Sequence, residues 1–295
     1  MKVSTSLETQ KTTFSFEFFP PQTPNAADEL FHTINDLTPL EPSYVSITYG
    51  SGGSTRDITH DLVIRLITET KLNVVAHLTC VNSSQDEILA ILNKYFQSGI
   101  ENIMALRGDP PKGESVFVPH EKGFKYAAEL VVFIKKHFPD MCVGIAGYPE
   151  GHPESPNRLK EIELLKVKVD QGADYICTQL FFDNRDFYDF CERCELAGIH
   201  VPIIAGIMPI TSYKTMIRMA ELALGTRYPA RLLKALSRAE DDEYFAKVGI
   251  HWATQQVFDL LDHGVRGIHF YTLNKSRGTL SIYESLGVTK SSSLA

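Results

Sequence analysis

The chain has 295 residues, a length that one α/β barrel or two average domains would fill equally well. With 43% hydrophobic and 22% charged residues, its composition is that of a soluble globular protein and excludes a largely disordered chain. The formal net charge of -7 argues against broad nucleic-acid binding, which needs a basic surface. No apolar run approaches the roughly 20 residues that a membrane helix requires.

The five cysteines, an odd number, follow no secretory signal, which predicts a cytoplasmic protein with reduced thiols. The only close pair, Cys191 and Cys194, lies in a predicted helix without a second CxxC or a nearby histidine pair. This favours structural thiols over a zinc site.

Between polar ends, short β-branched and aromatic runs alternate with longer stretches of helical periodicity, the pattern of βαβ units on a parallel sheet. Most runs begin about 30 residues after the previous one, as a strand, a loop and a crossover helix require. The predicted strands are 13–19, 44–49, 73–79, 102–107, 142–148, 175–181, 202–208 and 267–273. Further helices are predicted at 230–238, 242–263 and 277–286.

This arrangement predicts an α/β fold, a (β/α)8 TIM barrel with extra helices before the last strand. We expect one domain over residues 1–295, with flexible tails at about 1–12 and 289–295. A doubly wound sheet is the alternative, but G-x-G-x-x-G is missing after the first strand. The Gly-Ser-Gly-Gly stretch at 50–53 is interpreted as a flexible loop, with a phosphate contact as the alternative.

In such a barrel the chemistry lies at the carboxyl ends of the strands. That criterion selects Glu17, Thr48, His77, Arg107–Asp109, Tyr148, Gln179 and Tyr271. Strand alternation sets Glu17 opposite Phe16 and Phe18 and on the same face as Phe19. Apolar surroundings favour the neutral carboxyl, so Glu17 is a candidate general acid, and a buried acid paired with Arg or Lys is the alternative.

The Arg107-Gly108-Asp109 turn follows the fourth strand. Its guanidinium suits a phosphate or a ring carbonyl, Gly108 permits close backbone approach, and Asp109 can accept hydrogen bonds from a heterocycle. A salt bridge between Arg107 and Asp109 is the alternative.

The amide of Gln179 suits the mixed donor and acceptor edge of a pterin or flavin, with capping of the next helix as the alternative. His77 and His152 are interpreted as hydrogen-bonding or stacking groups or as structural histidines, and no metal site is predicted because H-x-H and H-E-x-x-H are missing. Lys166 and Lys168 fall in a helix of mixed charge, where surface ion pairing is expected and a Schiff-base lysine is not.

Motifs at these strand ends resemble those of the methylenetetrahydrofolate reductases, in the family's order, from near residue 13 to near 288. They are Phe-Glu-Phe-Phe-Pro-Pro at 16–21, Val-Ser-Ile-Thr-Tyr-Gly at 45–50, Ala-His-Leu-Thr-Cys at 76–80, Ala-Leu-Arg-Gly-Asp at 105–109, Tyr-Pro-Glu-Gly-His-Pro at 148–153, Thr-Gln-Leu-Phe-Phe-Asp at 178–183, Gly-Ile-Met-Pro at 206–209 and His-Phe-Tyr-Thr-Leu-Asn at 269–274. The chain is similar to the short bacterial form.

The resemblance implies a noncovalent FAD that NADH or NADPH reduces and that 5,10-methylenetetrahydrofolate reoxidises, giving 5-methyltetrahydrofolate by a ping-pong sequence at one site. It also implies a homo-oligomer in one-carbon metabolism and methionine biosynthesis. Hydride chemistry would belong to the cofactor, and positioning and protonation to the protein.

By the same resemblance, Glu17 is the general acid, Asp109 lies beside the flavin pyrimidine and the pterin, and Gln179 binds folate. The positions that match FAD-lining residues are Thr48, His77, Arg107, Gly108, Tyr126, Ala127, Tyr148, His152 and Lys168, the last near the phosphates. Three residues depart from the pattern: Glu161 replaces an Asp that contacts the FAD ribose, Tyr213 a Phe that stacks on substrate, and Lys275 an Arg after the last strand.

Two alternatives stay open. One is another FAD-dependent barrel oxidoreductase, such as a proline dehydrogenase-like enzyme. The other is a non-catalytic flavin or folate sensor, against which the presence of both Glu17 and Asp109 argues.

Overall fold

A computed structural model describes residues 1–21, 23–49, 56–110, 113–114, 116–223 and 225–294. Its strands are Thr13–Phe18 (β1), Tyr44–Ile47 (β2), Val74–Thr79 (β3), Asn102–Leu106 (β4), Cys142–Gly147 (β5), Tyr175–Thr178 (β6), Ile203–Ile207 (β7) and Gly267–Tyr271 (β8). Each strand pairs in parallel with the next, and β8 pairs with β1. The predicted closed barrel is confirmed, whereas the predicted loop at 50–53 lies outside the described residues.

Helices surround the barrel. They are Val3–Thr9 (α1), Pro24–Leu37 (α2), Arg56–Glu69 (α3), Gln85–Gln97 (α4), Ala127–His137 (α5), Arg158–Asp170 (α6), Asn184–Leu196 (α7), Tyr213–Leu222 (α8), Ala230–Leu236 (α9), Asp242–Asp262 (α10) and Arg277–Ser285 (α11). The extra helices expected before the last strand are α9 and α10. In the described part of the chain, no helix is both long and apolar enough to span a lipid bilayer.

Polar caps explain where several helices begin. The Thr23 side chain accepts a hydrogen bond from the Ala26 backbone N–H, with Pro24 in the first turn of α2. Ser84 and Glu87 form a reciprocal capping box at the start of α4. These caps satisfy backbone donors that would otherwise lack partners where the loops enter the helices.

The two faces of each strand have different surroundings. Phe14, Phe16 and Phe18 of β1 belong to the large apolar cluster between barrel and helices. The alternating residues Ser15 and Glu17 therefore face the barrel interior. Polar side chains are thus placed inside the barrel by strand periodicity, while the phenyl rings hold the helices on its outside.

Strand β6 ends at Thr178, although the apolar run predicts a strand to residue 181. Leu180 and Phe182 leave the ladder and join a separate apolar cluster with Met216 and Leu232 of α8 and α9. Burial under these helices replaces continued strand pairing, so periodicity alone overestimates the strand.

The expectation of a flexible amino-terminal tail is wrong, because α1 packs against the amino-terminal ends of the strands. Val3 and Leu7 are fully buried and cluster with Tyr44 and Tyr175 inside the barrel. The Val3 N–H donates to Asn102 Oδ1 at 2.7 Å. Two apolar residues four apart form one helical face, which is enough to close the barrel although the rest of the segment is polar.

The carboxyl-terminal segment is also packed rather than free. Ser291 is 4% exposed, and its hydroxyl donates to the Leu40 carbonyl at 2.7 Å and lies 2.8 Å from the Tyr283 hydroxyl. A serine-rich sequence suggests a solvated tail, but the Ser291 hydroxyl instead pairs with the Tyr283 hydroxyl of α11 and with the Leu40 carbonyl.

We expect Leu7→Ala to lower the free energy of unfolding by about 2–4 kcal/mol, because it leaves a cavity at the closed end of the barrel. Glu8→Ala on the exposed face of α1 is the control and should change it by less than about 0.5 kcal/mol. Urea unfolding measures both values. Equal effects of the two substitutions would show that α1 does not seal the barrel.

Candidate active site

Glu17 lies at the carboxyl end of β1 and is 7% exposed. Its Oε2 atom lies 3.5 Å from His269 Nε2 and 3.6 Å from His77 Nε2. Among the described residues no Arg or Lys pairs with it, so the alternative of a structural ion pair is not supported. Phe19, predicted on the same face as Glu17, lies just beyond the end of β1 and is 38% exposed.

His269 is the residue of this site that sequence reasoning missed. Its Nδ1 atom lies 2.7 Å from Ser15 Oγ, and its ring stacks on Tyr44 with the centroids 6.1 Å apart. The register of β1 and β8 places Ser15 opposite His269 and Glu17 opposite Tyr271. Alternation within β8 would have predicted the inward direction of His269, but only closure of the barrel identifies Glu17 and Ser15 as its neighbours.

His77, at the third strand, is a neutral imidazole at neutral pH. Burial lowers its pKa to about 4 and outweighs the attraction of the Glu17 carboxylate, while His269 lowers it further. Its Nε2 atom is buried and has no hydrogen-bond partner among the described residues. A ligand or water that pairs with this nitrogen would remove the cost of burying it.

Arg107 and Gly108 shape the loop after β4. Arg107 forms two hydrogen bonds to the Glu154 carboxylate, at 2.5 and 2.9 Å, so the alternative of a turn salt bridge with Asp109 is wrong. Gly108 has φ +85°, and a Cβ atom there would lie 2.5 Å from Val81 Cγ2. The backbone approaches this side chain as only glycine allows, and Asp109 is left exposed at the mouth.

Tyr148 and His152 form an aromatic pair in the loop after β5, with ring centroids 4.7 Å apart and planes at 89°. Burial raises the pKa of Tyr148 to about 12 and lowers that of His152. The His152 backbone N–H donates to Glu161 Oε2 at 2.8 Å. Glu161 is 6% exposed, burial raises its pKa, and its Oε1 has no partner in the described part of the chain.

Lys168 differs from Lys166, although both belong to α6. Lys166 forms an ion pair with Asp170, as expected for a surface lysine. The Lys168 ammonium instead donates to the Ala146 carbonyl of β5 at 3.0 Å. Burial lowers the pKa of Lys168 to about 8, against the attraction of Glu161, so the surface interpretation is wrong for this residue.

Gln179 follows β6, and its Oε1 accepts the Leu180 N–H at 2.9 Å. The next helix is capped by Asp183, which accepts the Arg185 N–H at 3.1 Å, so the capping alternative for Gln179 is wrong. The Tyr271 hydroxyl donates to the Thr178 carbonyl at 2.7 Å and holds the end of β8 against that of β6. In the described chain no group of three His, Cys, Asp or Glu residues is placed to hold a metal ion.

Comparison with known proteins identifies the family. The model of the methylenetetrahydrofolate reductases matches residues 2–287. The chain belongs to this family. A relative in Escherichia coli, 5,10-methylenetetrahydrofolate reductase, is 38% identical over 93% of this chain and 90% of its own length.

Plant and yeast relatives are longer. Methylenetetrahydrofolate reductase (NADH) 1 of Arabidopsis thaliana is 39% identical over 100% of this chain and 51% of its own length. The chain spans about half the length of the plant and fission-yeast relatives that it matches. Among solved structures, a Clostridium thermocellum protein described as binding two copies of 5-methyl-5,6,7,8-tetrahydrofolic acid aligns over 95% of this chain and 96% of its own, with a TM-score of 0.65. At 16% identity it shows the shared fold alone.

The remaining residues that methylenetetrahydrofolate reductases lead one to expect lie around the same end of the barrel, in the segments that follow the strands. Thr48 follows β2, and Tyr126 and Ala127 begin α5. Tyr213 begins α8 and is 59% exposed, with its ring nearly perpendicular to that of Phe245, and Lys275 is exposed after β8. A ligand would have to bridge these positions.

Stability should fall between about pH 6.5 and 4, because the unfolded chain takes up a proton at His77 that the folded protein excludes. His77→Gln should reduce the fall in unfolding free energy across this pH range by at most about 3 kcal/mol. Urea unfolding of the ligand-free protein at several pH values measures it, with His200→Gln on the surface as the control. Parallel curves for the wild type and His77→Gln would contradict the depressed pKa.

Proposed function

We propose that the chain reduces 5,10-methylenetetrahydrofolate to 5-methyltetrahydrofolate with NADH or NADPH and a noncovalent FAD. The observation that carries the proposal, together with family membership, is Glu17: a buried carboxyl at the barrel mouth whose described neighbours are two imidazoles rather than a cation. Such a group is suited to give a proton to a bound ring rather than to stabilise the fold.

The residues present fit an anionic, aromatic cofactor. The partly buried Lys168 ammonium has one backbone partner and suits the FAD diphosphate, and the unpartnered Glu161 Oε1 suits a ribose hydroxyl. Tyr148 and His152 supply ring surfaces, and Gly108 allows close backbone approach. The other positions that would line FAD are Thr48, His77, Arg107, Asp109, Tyr126 and Ala127.

When bound, FAD would supply the hydride chemistry, accepting from the nicotinamide in one half-reaction and donating to the folate in the next. The protein would bind each substrate in turn at the same mouth and exclude water from it. The α1 seal at the opposite end of the barrel and the apolar side chains around it limit water entry from below.

Proton supply would pass through Glu17. His269 Nδ1 lies 2.7 Å from Ser15 Oγ, and its Nε2 faces Glu17 Oε2 at 3.5 Å. With the Ser15 hydroxyl donating to Nδ1, the ring carries its proton on Nε2 and would donate a hydrogen bond to the carboxylate left after Glu17 has given up its proton. The stacked Tyr44 ring fixes the imidazole plane. The protein therefore holds the acid in place from beneath, leaving its open side for the folate.

Folate would contact Gln179 and Asp109. Because Gln179 Oε1 accepts the Leu180 N–H, its amide hydrogens point away from that bond and are available for a pterin acceptor. Tyr213 and Lys275 would bind the outer part of the substrate. Lys275 supplies charge but not the two-pronged contact that an Arg makes, so we expect it to hold a folate carboxylate less specifically.

The decisive experiment is anaerobic. The purified protein should take up FAD, lose its flavin absorbance with NADH or NADPH, and regain it when 5,10-methylenetetrahydrofolate is added. A protein that cannot bind FAD would overturn the proposal. Oxidation of proline without folate reduction would indicate the other barrel oxidoreductase instead, and bound FAD without turnover would indicate a sensor.

Glu17→Gln keeps the size of the side chain and removes the carboxyl proton. We expect flavin reduction by the nicotinamide to stay within about threefold of the wild type, and folate reduction to fall by at least about 100-fold, the usual contribution of a general acid. Stopped-flow absorbance separates the two half-reactions. An equal loss in both would exclude Glu17 as the acid.

Lys168→Gln should weaken FAD binding by about 10- to 100-fold, the worth of one charge-assisted hydrogen bond. Lys166→Gln, two residues away on α6 with its own ion pair to Asp170, is the matched control and should bind FAD as the wild type does. Flavin fluorescence titration of the apoprotein gives the dissociation constants. Equal affinities for the two variants would remove Lys168 from the cofactor site.

A further inference from the structure

The connection between α8 and α9 crosses two loops at the barrel mouth. Its residues 225–227, called the strap here, contact the loop after β5 and the loop after β6. A Cβ atom at Gly225, which has φ +92°, would lie 2.7 Å from the Gly151 carbonyl oxygen. The Thr226 hydroxyl donates to the Leu180 carbonyl at 3.2 Å. The strap therefore touches both loops within three residues.

Arg227 makes the strongest of these contacts. Its backbone N–H donates to the Glu150 carboxylate at 3.0 and 3.1 Å, and its Nε donates to Oε1 at 2.9 Å. Its Nη2 reaches Asp186 of α7 at 2.7 Å. One arginine thus joins the strap, the loop after β5 and a rigid helix, with the fork geometry that lysine cannot reproduce.

Glu150 is an unusual partner because its side chain is only 5% exposed, whereas that of Arg227 is 62% exposed. Burial raises the pKa of Glu150, and the contacts with Arg227 oppose that rise. An exposed ion pair contributes little, but removing one partner of a buried carboxylate leaves a charge that must be protonated or rehydrated. Rehydration of the Glu150 carboxylate would require the loop after β5 to move.

The strap contacts bear on function because they are made by direct sequence neighbours of the predicted site residues. Glu150 and Gly151 stand between Tyr148 and His152, and Leu180 directly follows Gln179. Tyr148, Gly151, Gln179 and Thr226 line one small cavity at the mouth. The strap therefore fixes both the aromatic pair assigned to the cofactor and the amide assigned to the folate.

We propose that Arg227 is a positioning residue, which through Glu150 holds loop 148–154 in the arrangement in which Tyr148 and His152 meet the cofactor. The cofactor part of this inference rests on the proposed function, while the ordering of the loop does not. A surface ion pair without function is the competing explanation.

The test compares Arg227→Gln with Arg185→Gln. Arg185 is also an exposed arginine, and its ion pair with Asp183, at the start of α7, does not involve loop 148–154. Two quantities are measured: the rate of FAD release after dilution, by recovery of free-flavin fluorescence, and hydrogen exchange of the backbone amides of loop 148–154 in the apoprotein.

Arg227→Gln should release FAD about tenfold faster, as expected for one charge-assisted hydrogen bond at a half-exposed site, and should speed amide exchange in the loop. Arg227→Lys should recover part of the loss, since it keeps the charge without the fork. Glu150→Gln should behave like Arg227→Gln, and the double variant should be no worse than either, because both remove the same contact. Arg185→Gln should match the wild type in both measurements.

If the loop amides of Arg227→Gln exchange hydrogen at the wild-type rate, the inference is overturned. Faster exchange of these amides with an unchanged rate of FAD release would overturn it as well. An additive double variant would show that Arg227 does not act through Glu150. If the wild type binds no FAD, the proposed function fails by that result alone, and the exchange measurement still decides whether Arg227 orders the loop.

Discussion

Closure of the parallel ladder between β1 and β8 is the constraint on which the site depends. It joins strands at opposite ends of the chain, with Ser15 opposite His269 and Glu17 opposite Tyr271. Because side chains alternate along a strand, a register shift by one residue would turn Glu17 out of the barrel and bring Phe16 or Phe18 in. The outward phenyl rings, packed under the helices, make such a shift costly, so the core protects the position of the acid.

Burial gives the polar groups at the mouth their chemical character. It keeps the His77 imidazole neutral, lowers the pKa of Lys168 toward neutrality and raises those of Glu161 and Tyr148. Each shift means that the folded protein has lost hydration at that group without a full replacement. Groups left in this state favour a ligand that completes their contacts.

The loops at the mouth are joined across the barrel by charged contacts rather than by a shared core. Arg107 ties the loop after β4 to Glu154 in the loop after β5, and Arg227 ties that second loop to α7. Such pairs need no buried apolar surface. The rim can therefore be ordered while remaining polar.

The order of elements, the eight strands and the polar residues at their ends could be read from the sequence, because strand and helix periodicities are local properties of the chain. Glu17, Asp109 and Gln179 are predicted as site residues in this way, and the fold places them at or just after the ends of β1, β4 and β6. The packing of α1 was not, since two apolar residues in a polar segment give too weak a local signal to predict burial.

Only the tertiary structure decided which charged groups are partners. The sequence favours Arg107 with Asp109 and a surface position for Lys168, whereas the fold pairs Arg107 with Glu154 and turns Lys168 toward β5. His269 meets Glu17 across 252 positions of sequence. Contacts of this kind depend on barrel closure and on the paths of the loops, which no local pattern encodes. Residue types at the strand ends were therefore set by sequence, and their pairing and pKa values by the fold.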